Sequence, residues 1–370
     1  MFLALLALGS VPAAAIELEE GKLSLNGFGS WAYGASSGND FLVARHTGHF
    51  DSGDFGLALT SRLSDTAVVG AQLRFAPELG GLFLDWAFGE WRFSDLVRVR
   101  AGVVKHPLGI FGEVPNVGTL RPFLLLAQGI YGQAEITGAG IRGVDISGIA
   151  PSRGGWGFTY DLYGGGVVVR VDEVIPKILE TDNLKPGGTL LVIEEETKYI
   201  LGGRLIVAAP LEGLEFRLSA YGTLIHQENG PFLVVGPSVQ YLGDSFSARA
   251  EYFFLYEDPN PSHPDNPSHR AHAAYVEVAR FLTQQFQIGA RAEIYHVIPL
   301  GKSINSSLFE HREIAATFNY WFDPGLVAKL SIHAVDGNRF AFPTALDDAL
   351  LGGGLNRHTI ATILGVQFSF

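Results

Sequence analysis

Arg357-His358-Thr359-Ile360-Ala361-Thr362-Ile363-Leu364-Gly365-Val366-Gln367-Phe368-Ser369-Phe370 ends the chain, and its alternation runs to the last residue. Ile360, Leu364, Val366, Phe368 and Phe370 fall on one face, and Thr359, Ala361, Gly365, Gln367 and Ser369 on the other. A period of two is that of a β-strand, whose successive side chains point to opposite sides. One face is apolar enough for lipid and the other is small and polar enough for water. That division marks a transmembrane barrel strand.

The same pattern recurs upstream. Segments of about 10–14 residues alternate in this way, each bounded by Gly, Pro, Asp, Asn or Ser. They cover residues 22–33, 55–63, 67–76, 82–93, 97–106, 135–147, 156–164 and 197–209. They continue at 214–227, 232–242, 246–258, 270–281, 286–298, 309–322, 326–335 and 357–370. The fold class predicted is all-β, a transmembrane antiparallel β-barrel of about 16 strands, an even number as single-chain bacterial barrels have. Residues 41–45 either extend the second strand or form a separate one. Connections alternate in length: 64–66, 94–96, 210–213, 243–245, 283–285 and 323–325 are short, and 149–155 is slightly longer. The other set includes the long 107–134, 165–196, 259–269 and 336–356. Short turns at one end and variable loops at the other suit a membrane barrel with periplasmic and extracellular ends.

Composition agrees. The 370 residues are 47% hydrophobic and 17% charged, with 46 Gly. That apolar content would demand a very large core in water but suits a surface facing lipid. Residues 2–8 form a short apolar run, followed by the small residues Ala13, Ala14 and Ala15. This reads as a signal peptide over 1–15, although no Lys or Arg precedes the apolar run. The mature chain, 16–370, is then one barrel domain. The absence of Cys removes disulfides, thiol nucleophiles and thiolate metal sites. No cofactor is expected, and the net charge of −12 argues against a nucleic-acid partner.

Alternation places Arg62, Arg74, Arg98 and Arg100 on the lumen face of neighbouring early strands, where they either form a basic wall or pair with neighbouring side chains without a role in selectivity. Lumen side chains of a barrel tune which solutes pass. A third loop, 107–134, folded into the barrel would narrow it, with Glu113 facing the wall and setting a transverse field. His106 at its base, Arg121 within it and Glu135 beyond it complete the candidate constriction. Later strands carry inward charges of both signs, including Arg204, Arg249, Arg291, Glu293 and Glu313, which suggests cross-strand ion pairs. The apolar run 123–127 reads as a short helix packing the loop against the wall. The loop 165–196 holds seven acidic residues against three basic ones, either an acidic vestibule or a solvated surface. His263, His269 and His272 are weak metal candidates, because the surrounding prolines keep the segment extended. Trp31, Tyr33, Trp91, Phe93, Trp156, Tyr163, Tyr256, Trp321, Phe322 and Phe370 lie near strand ends and read as interfacial girdles.

The segment Arg98-Val99-Arg100-Ala101-Gly102-Val103-Val104-Lys105-His106-Pro107-Leu108-Gly109-Ile110-Phe111 resembles a basic strand entering a Pro-x-Gly loop in the outer-membrane porin superfamily, specifically in relatives of its phosphate-selective members. Thr119-Leu120-Arg121-Pro122 and Gly129-Ile130-Tyr131-Gly132 resemble the continuation of that loop. The specific likeness covers 98–132; the barrel-level likeness covers nearly the whole mature chain. It implies a Gram-negative outer-membrane location, contact with outer-membrane lipid, a homotrimer and passive passage of small hydrophilic solutes or ions. The final strand ending at Phe370 resembles the signal read by the outer-membrane assembly machinery. Phosphate specificity does not transfer, because the third loop lacks the dense Lys and Arg set it requires. No enzymatic activity is expected. The alternatives are a structural or sheath-type barrel, and a lipid hydrolase built on Ser303, Ser306 and His311 acting on the outer face.

Overall fold

The two ends of the chain meet. Strand β1 (Leu23–Ser37) pairs antiparallel with β16 (His358–Ser369), from Phe28 opposite Ser369 to Ser37 opposite Ile360. Beyond the ladder, Gly27 N–H donates to Phe370 O at 2.8 Å, and Phe370 N–H donates to Gly27 O at 2.9 Å. A Cβ at Gly27 would collide with the Phe370 ring, and one at Gly29 with the Phe368 ring.

The computed structural model describes residues 16–18, 22–51, 53–77, 81–132, 136–137, 140–172, 193–223, 231–258, 268–300, 307–342 and 355–370. The predicted signal peptide, 1–15, lies outside them. Between the terminal strands run β2 (Asp54–Arg62), β3 (Ala67–Ala76), β4 (Gly81–Arg92), β5 (Arg98–Val104) and β6 (Ile141–Arg153). Next come β7 (Trp156–Asp172), β8 (Ile193–Ala208), β9 (Leu214–Thr223), β10 (Phe232–Leu242) and β11 (Phe246–Glu257). The circuit ends with β12 (His269–Phe281), β13 (Phe286–Pro299), β14 (Glu310–Asp323) and β15 (Leu326–Asp336). Each pairs antiparallel with the next, and β16 returns to β1. The sixteen-stranded barrel therefore leaves no open sheet edge, which a backbone in lipid requires. Among the described residues no helix is long and apolar enough to cross a membrane.

The outer face is apolar. Ile314 is 71% exposed, Phe318 62%, Leu364 52% and Leu73 49%. An apolar patch this continuous is untenable in water and is at home in a bilayer. The alternate positions point inward and include Asp161, Arg204, Gln240, Arg249, Thr317 and Asn319.

All sixteen expected strands are present, but several boundaries move. β6 starts at Ile141, not 135, because its partner β5 ends at Val104 and the two residues face each other. It also runs past 147: a register shift between Ala150 and Arg153 absorbs Pro151, which lacks a backbone donor. The expected 149–155 connection shrinks to Gly154-Gly155, whose φ of 59° and 83° make the primed turn that two-residue hairpins favour. β7 and β8 extend to Asp172 and from Ile193, so Arg170, Asp172 and Glu194–Glu196 belong to a hairpin, not to an acidic loop. The ambiguous 41–45 segment is two short strands, Asp40–Phe41 and Ala44–Arg45, which fold back against β1 and the strand Ala341–Phe342.

Candidate pore constriction

The chain leaves β5 and turns into the barrel. Lys105 Nζ donates to Asp85 Oδ1 at 2.6 Å, anchoring the exit to β4. His106 is fully buried, with Nε2 3.1 Å from Tyr163 OH and its ring edge-on to Tyr221 at 4.6 Å. Burial, with the Arg204 charge behind it, pushes this imidazole down to about 3, so it stays neutral. Gly109 follows in the left-handed region at φ 56°, and its N–H donates to Ser219 Oγ at 3.1 Å.

From there the loop crosses to the late strands. A backbone inside the barrel must find partners for its N–H and C=O groups, and the inward charges of the wall supply them. Arg217 Nη1 donates to Gly109 O at 3.1 Å, and Ile110 N–H donates to Glu251 Oε2 at 3.0 Å. Lys329 Nζ donates to Gly118 O at 2.7 Å and Arg121 O at 2.6 Å. Asn319 Nδ2 donates to Pro122 O at 2.8 Å, and Arg291 Nη1 to Leu125 O at 2.8 Å. Leu108, Leu124 and Ile130 join Phe41, Phe253, Tyr275 and Phe340 in one apolar core inside the barrel. The late charges do form cross-strand pairs, Arg249 with Glu277 and Arg291 with Glu313, but they also hold the third loop in place. Residues 123–127 are an irregular buried stretch, and the short helix lies just beyond, at Gln128–Tyr131.

The loop's elbow meets the early wall at Glu113. Arg204 Nη2 donates to Glu113 Oε2 at 2.5 Å, and its Nε donates to Asp161 Oδ2 at 2.9 Å. Arg100 Nη1 is 3.5 Å from Glu113 Oε1, and its Nε is 3.2 Å from Asp145 Oδ2 and 3.6 Å from Glu90 Oε2. The Arg100 guanidinium also covers the Phe88 ring. Burial pushes the Glu113 carboxyl up, but the guanidinia of Arg204 and Arg100 outweigh it and hold it at about 2. Two arginines and four carboxylates thus lie together where the loop touches the wall.

The candidates divide. Arg62, Arg98 and Arg100 lie on the early wall as expected, Arg62 exposed and Arg98 partly so. Arg98 has no ion pair among the described residues. Arg74 shares that wall but forms a bidentate pair with Asp54, at 2.8 Å through both Nε and Nη2. Glu113 reaches the wall and pairs with it, so it latches the loop and does not oppose the arginines across open space. His106 is a buried hinge, not a pore group. Arg121 folds back onto its own loop, donating to Pro115 O and Leu124 O. Glu135 and His263 lie outside the described residues. His269 and His272 fall on opposite faces of β12, His269 3.8 Å from Glu257 and His272 bonded to Tyr252 OH at 2.8 Å, so they do not converge. His311 points into the barrel with no exposure, which removes it from any reaction on the lipid face; Ser303 and Ser306 lie outside the described residues. Tyr163 is buried inside, not part of a girdle, whereas Trp31, Trp91, Phe93, Trp156 and Phe322 are exposed outside.

Sequence reasoning missed Asp145, Asp161 and Glu90. The first two sit at inward positions of predicted strands and were legible by parity. Glu90 was hidden by a register shift between β3 and β4 at Gln72 and Leu73, which flips the inward parity of β4.

No protein-family model and no curated protein sequence matches this chain. Solved structures do. The chain is similar to the outer-membrane protein OmpT of Vibrio cholerae, with a TM-score of 0.58 at 8% identity over 97% of this chain and 100% of that one. OmpF of Salmonella typhi gives a TM-score of 0.59 at 10% identity over 96% and 100%. An anion-selective porin from Comamonas acidovorans gives 0.57 at 13% identity over 94% and 99%. The shared fold is that of the transmembrane porin barrel.

Proposed function

We propose that this chain is a non-enzymatic porin of the Gram-negative outer membrane, passing small hydrophilic solutes or ions by passive diffusion. One observation carries the reading. The third loop is bound to the late wall, where inward side chains such as Thr317 and Ser331 are buried, while Thr60, Arg62 and Arg98 of the early wall keep exposure. We place the passage along β2–β5, lined by Thr60, Arg62 and Arg98 and closed off where the Glu113 elbow pairs with Arg100 and Arg204. Removal of residues 1–15, assembly through the strand ending at Phe370 and insertion in outer-membrane lipid belong to the same reading. A homotrimer does too, and a trimer form of the Vibrio cholerae protein shares this fold at 10% identity and a TM-score of 0.57.

A second reading is a structural barrel without channel activity. It draws on the apolar core of Phe41, Leu124 and Phe340 inside the barrel. Reconstitution in a planar bilayer separates the two. Stepwise conductance supports the channel, and its absence from folded protein supports the structural barrel.

A further inference from the structure

A second buried cluster lies on the late wall, apart from the residues that pair with Glu113. Glu293 on β13 lies opposite Glu313 on β14, and His311 precedes Glu313 by two positions on the same inward face. His311 is fully buried, and neither ring nitrogen has a hydrogen-bond partner among the described residues. Its ring is wedged between Phe41, stacked at 5.9 Å, and Phe340, edge-on at 5.0 Å. Nε2 stands 3.9 Å from Glu293 Oε1 and 3.9 Å from Glu313 Oε2.

Each carboxylate is tied by one oxygen only. Glu313 Oε1 accepts from Arg291 Nη2 at 2.9 Å and lies 3.1 Å from His333 Nδ1. Glu293 Oε1 accepts from Gly129 N–H at 2.6 Å. The Oε2 atom of each is buried with no hydrogen bond. Orphaned polar atoms in a protein interior are rare and costly. Here an imidazole nitrogen and two carboxylate oxygens are orphaned together, while the other oxygen of each carboxylate is already held by an outer partner. That is how metal ligands are held.

We propose that Glu293, His311 and Glu313 bind a divalent first-row transition cation such as Zn²⁺. The three residues bring donor atoms within 4.8 Å of one another. Donors about 2.0–2.2 Å from a tetrahedral ion stand about 3.3–3.6 Å apart, so the 3.9 Å separations from His311 Nε2 close by a few tenths of an ångström and the widest donor pair by up to about an ångström. Imidazole with carboxylate suits zinc and its first-row neighbours, not calcium. The Arg291 charge opposes the cation, its Nε standing 3.7 Å from Glu293 Oε2, so the site is weaker than a structural zinc centre. Bound metal would clamp β13 and β14 to the third loop through Gly129.

The test uses untagged full-length protein, folded in detergent, stripped by a chelator and titrated calorimetrically with Zn²⁺. One ion per chain is expected. Binding should disappear in His311→Ala and in Glu313→Gln, and weaken roughly 10–100-fold in His333→Ala. His272→Ala, on the lipid face, should bind as the parent does. Heat-modifiable gel migration checks that each variant folds. X-ray absorption at the zinc edge needs no variant and should show one imidazole among oxygen ligands. Absence of saturable binding, unchanged binding in folded His311→Ala, or a zinc shell without imidazole would overturn the proposal.

Discussion

Glu113 joins the loop to the wall through two arginines, one of them, Arg204, with only 6% of its side chain exposed. Glu113→Gln leaves Arg204 with Asp161 alone. Because Glu113 is itself 31% exposed, the cost is about 1–2 kcal/mol, below that of breaking a fully buried pair. It also unmasks positive charge, so the reversal potential in a salt gradient should move toward anion preference. A move toward cations would contradict the latch. The pH dependence has a definite sign. Glu113 titrates at about 2 instead of its ordinary 4.5, so its contribution is complete above the ordinary value and is lost as pH falls through about 2. Single-channel conductance should therefore show no Glu113-dependent step between about pH 7 and about pH 5. A step in that range that vanishes in Glu113→Gln would refute the assignment. At this scale period-two parity made Arg98 and Arg100 legible. It could not reveal that Glu113 would touch them, because a loop's path depends on partners scattered from Gly109 to Lys329.

Strands were the legible elements, since lipid outside and water inside enforce the alternation along every one. The face assignment is directly testable. Leu364→Arg puts a charge on the lipid face of β16 and should cost roughly 2–4 kcal/mol in urea unfolding from lipid vesicles, depending on depth. Thr60→Arg, on the inward face of β2 where the wall keeps exposure, should lack that depth-dependent cost. Equal costs would contradict the orientation. Turns were legible only where chemistry marked them. The connection expected over 149–155 contains Pro151, and the register shift there lets β6 continue to Arg153 and leaves only the Gly154-Gly155 turn. Replacing both glycines with valine forces two β-branched residues to positive φ, at roughly 1–2 kcal/mol each. An unchanged unfolding midpoint would argue against the primed turn.

At the scale of the whole molecule, closure through Gly27 and Phe370 produces a barrel whose interior is unevenly filled. The third loop, part of the first loop and the segment at Phe340 pack against the late strands, and water reaches the early ones. The sixteen strands and the inward parity of Arg62, Arg74, Arg98 and Arg100 were legible in the sequence; the carboxylates that pair with Arg74 and Arg100, and the asymmetry, were not. It arises because the late wall's inward residues change from polar ones such as Ser238 and Gln240 to apolar ones such as Phe232 and Val234 along a single strand. Alternation alone treats all of these simply as inward. The chain has no cysteine, so a single introduced thiol reports one position without background. The most direct test is the single-channel conductance of Arg98→Cys before and after reaction with a bulky charged thiol reagent. The predicted result is stepwise conductance that falls on modification, while Thr317→Cys, behind the loop, is unaffected. Conductance unchanged after complete modification of Arg98→Cys, or no conductance from folded protein, would contradict a passage along the early wall.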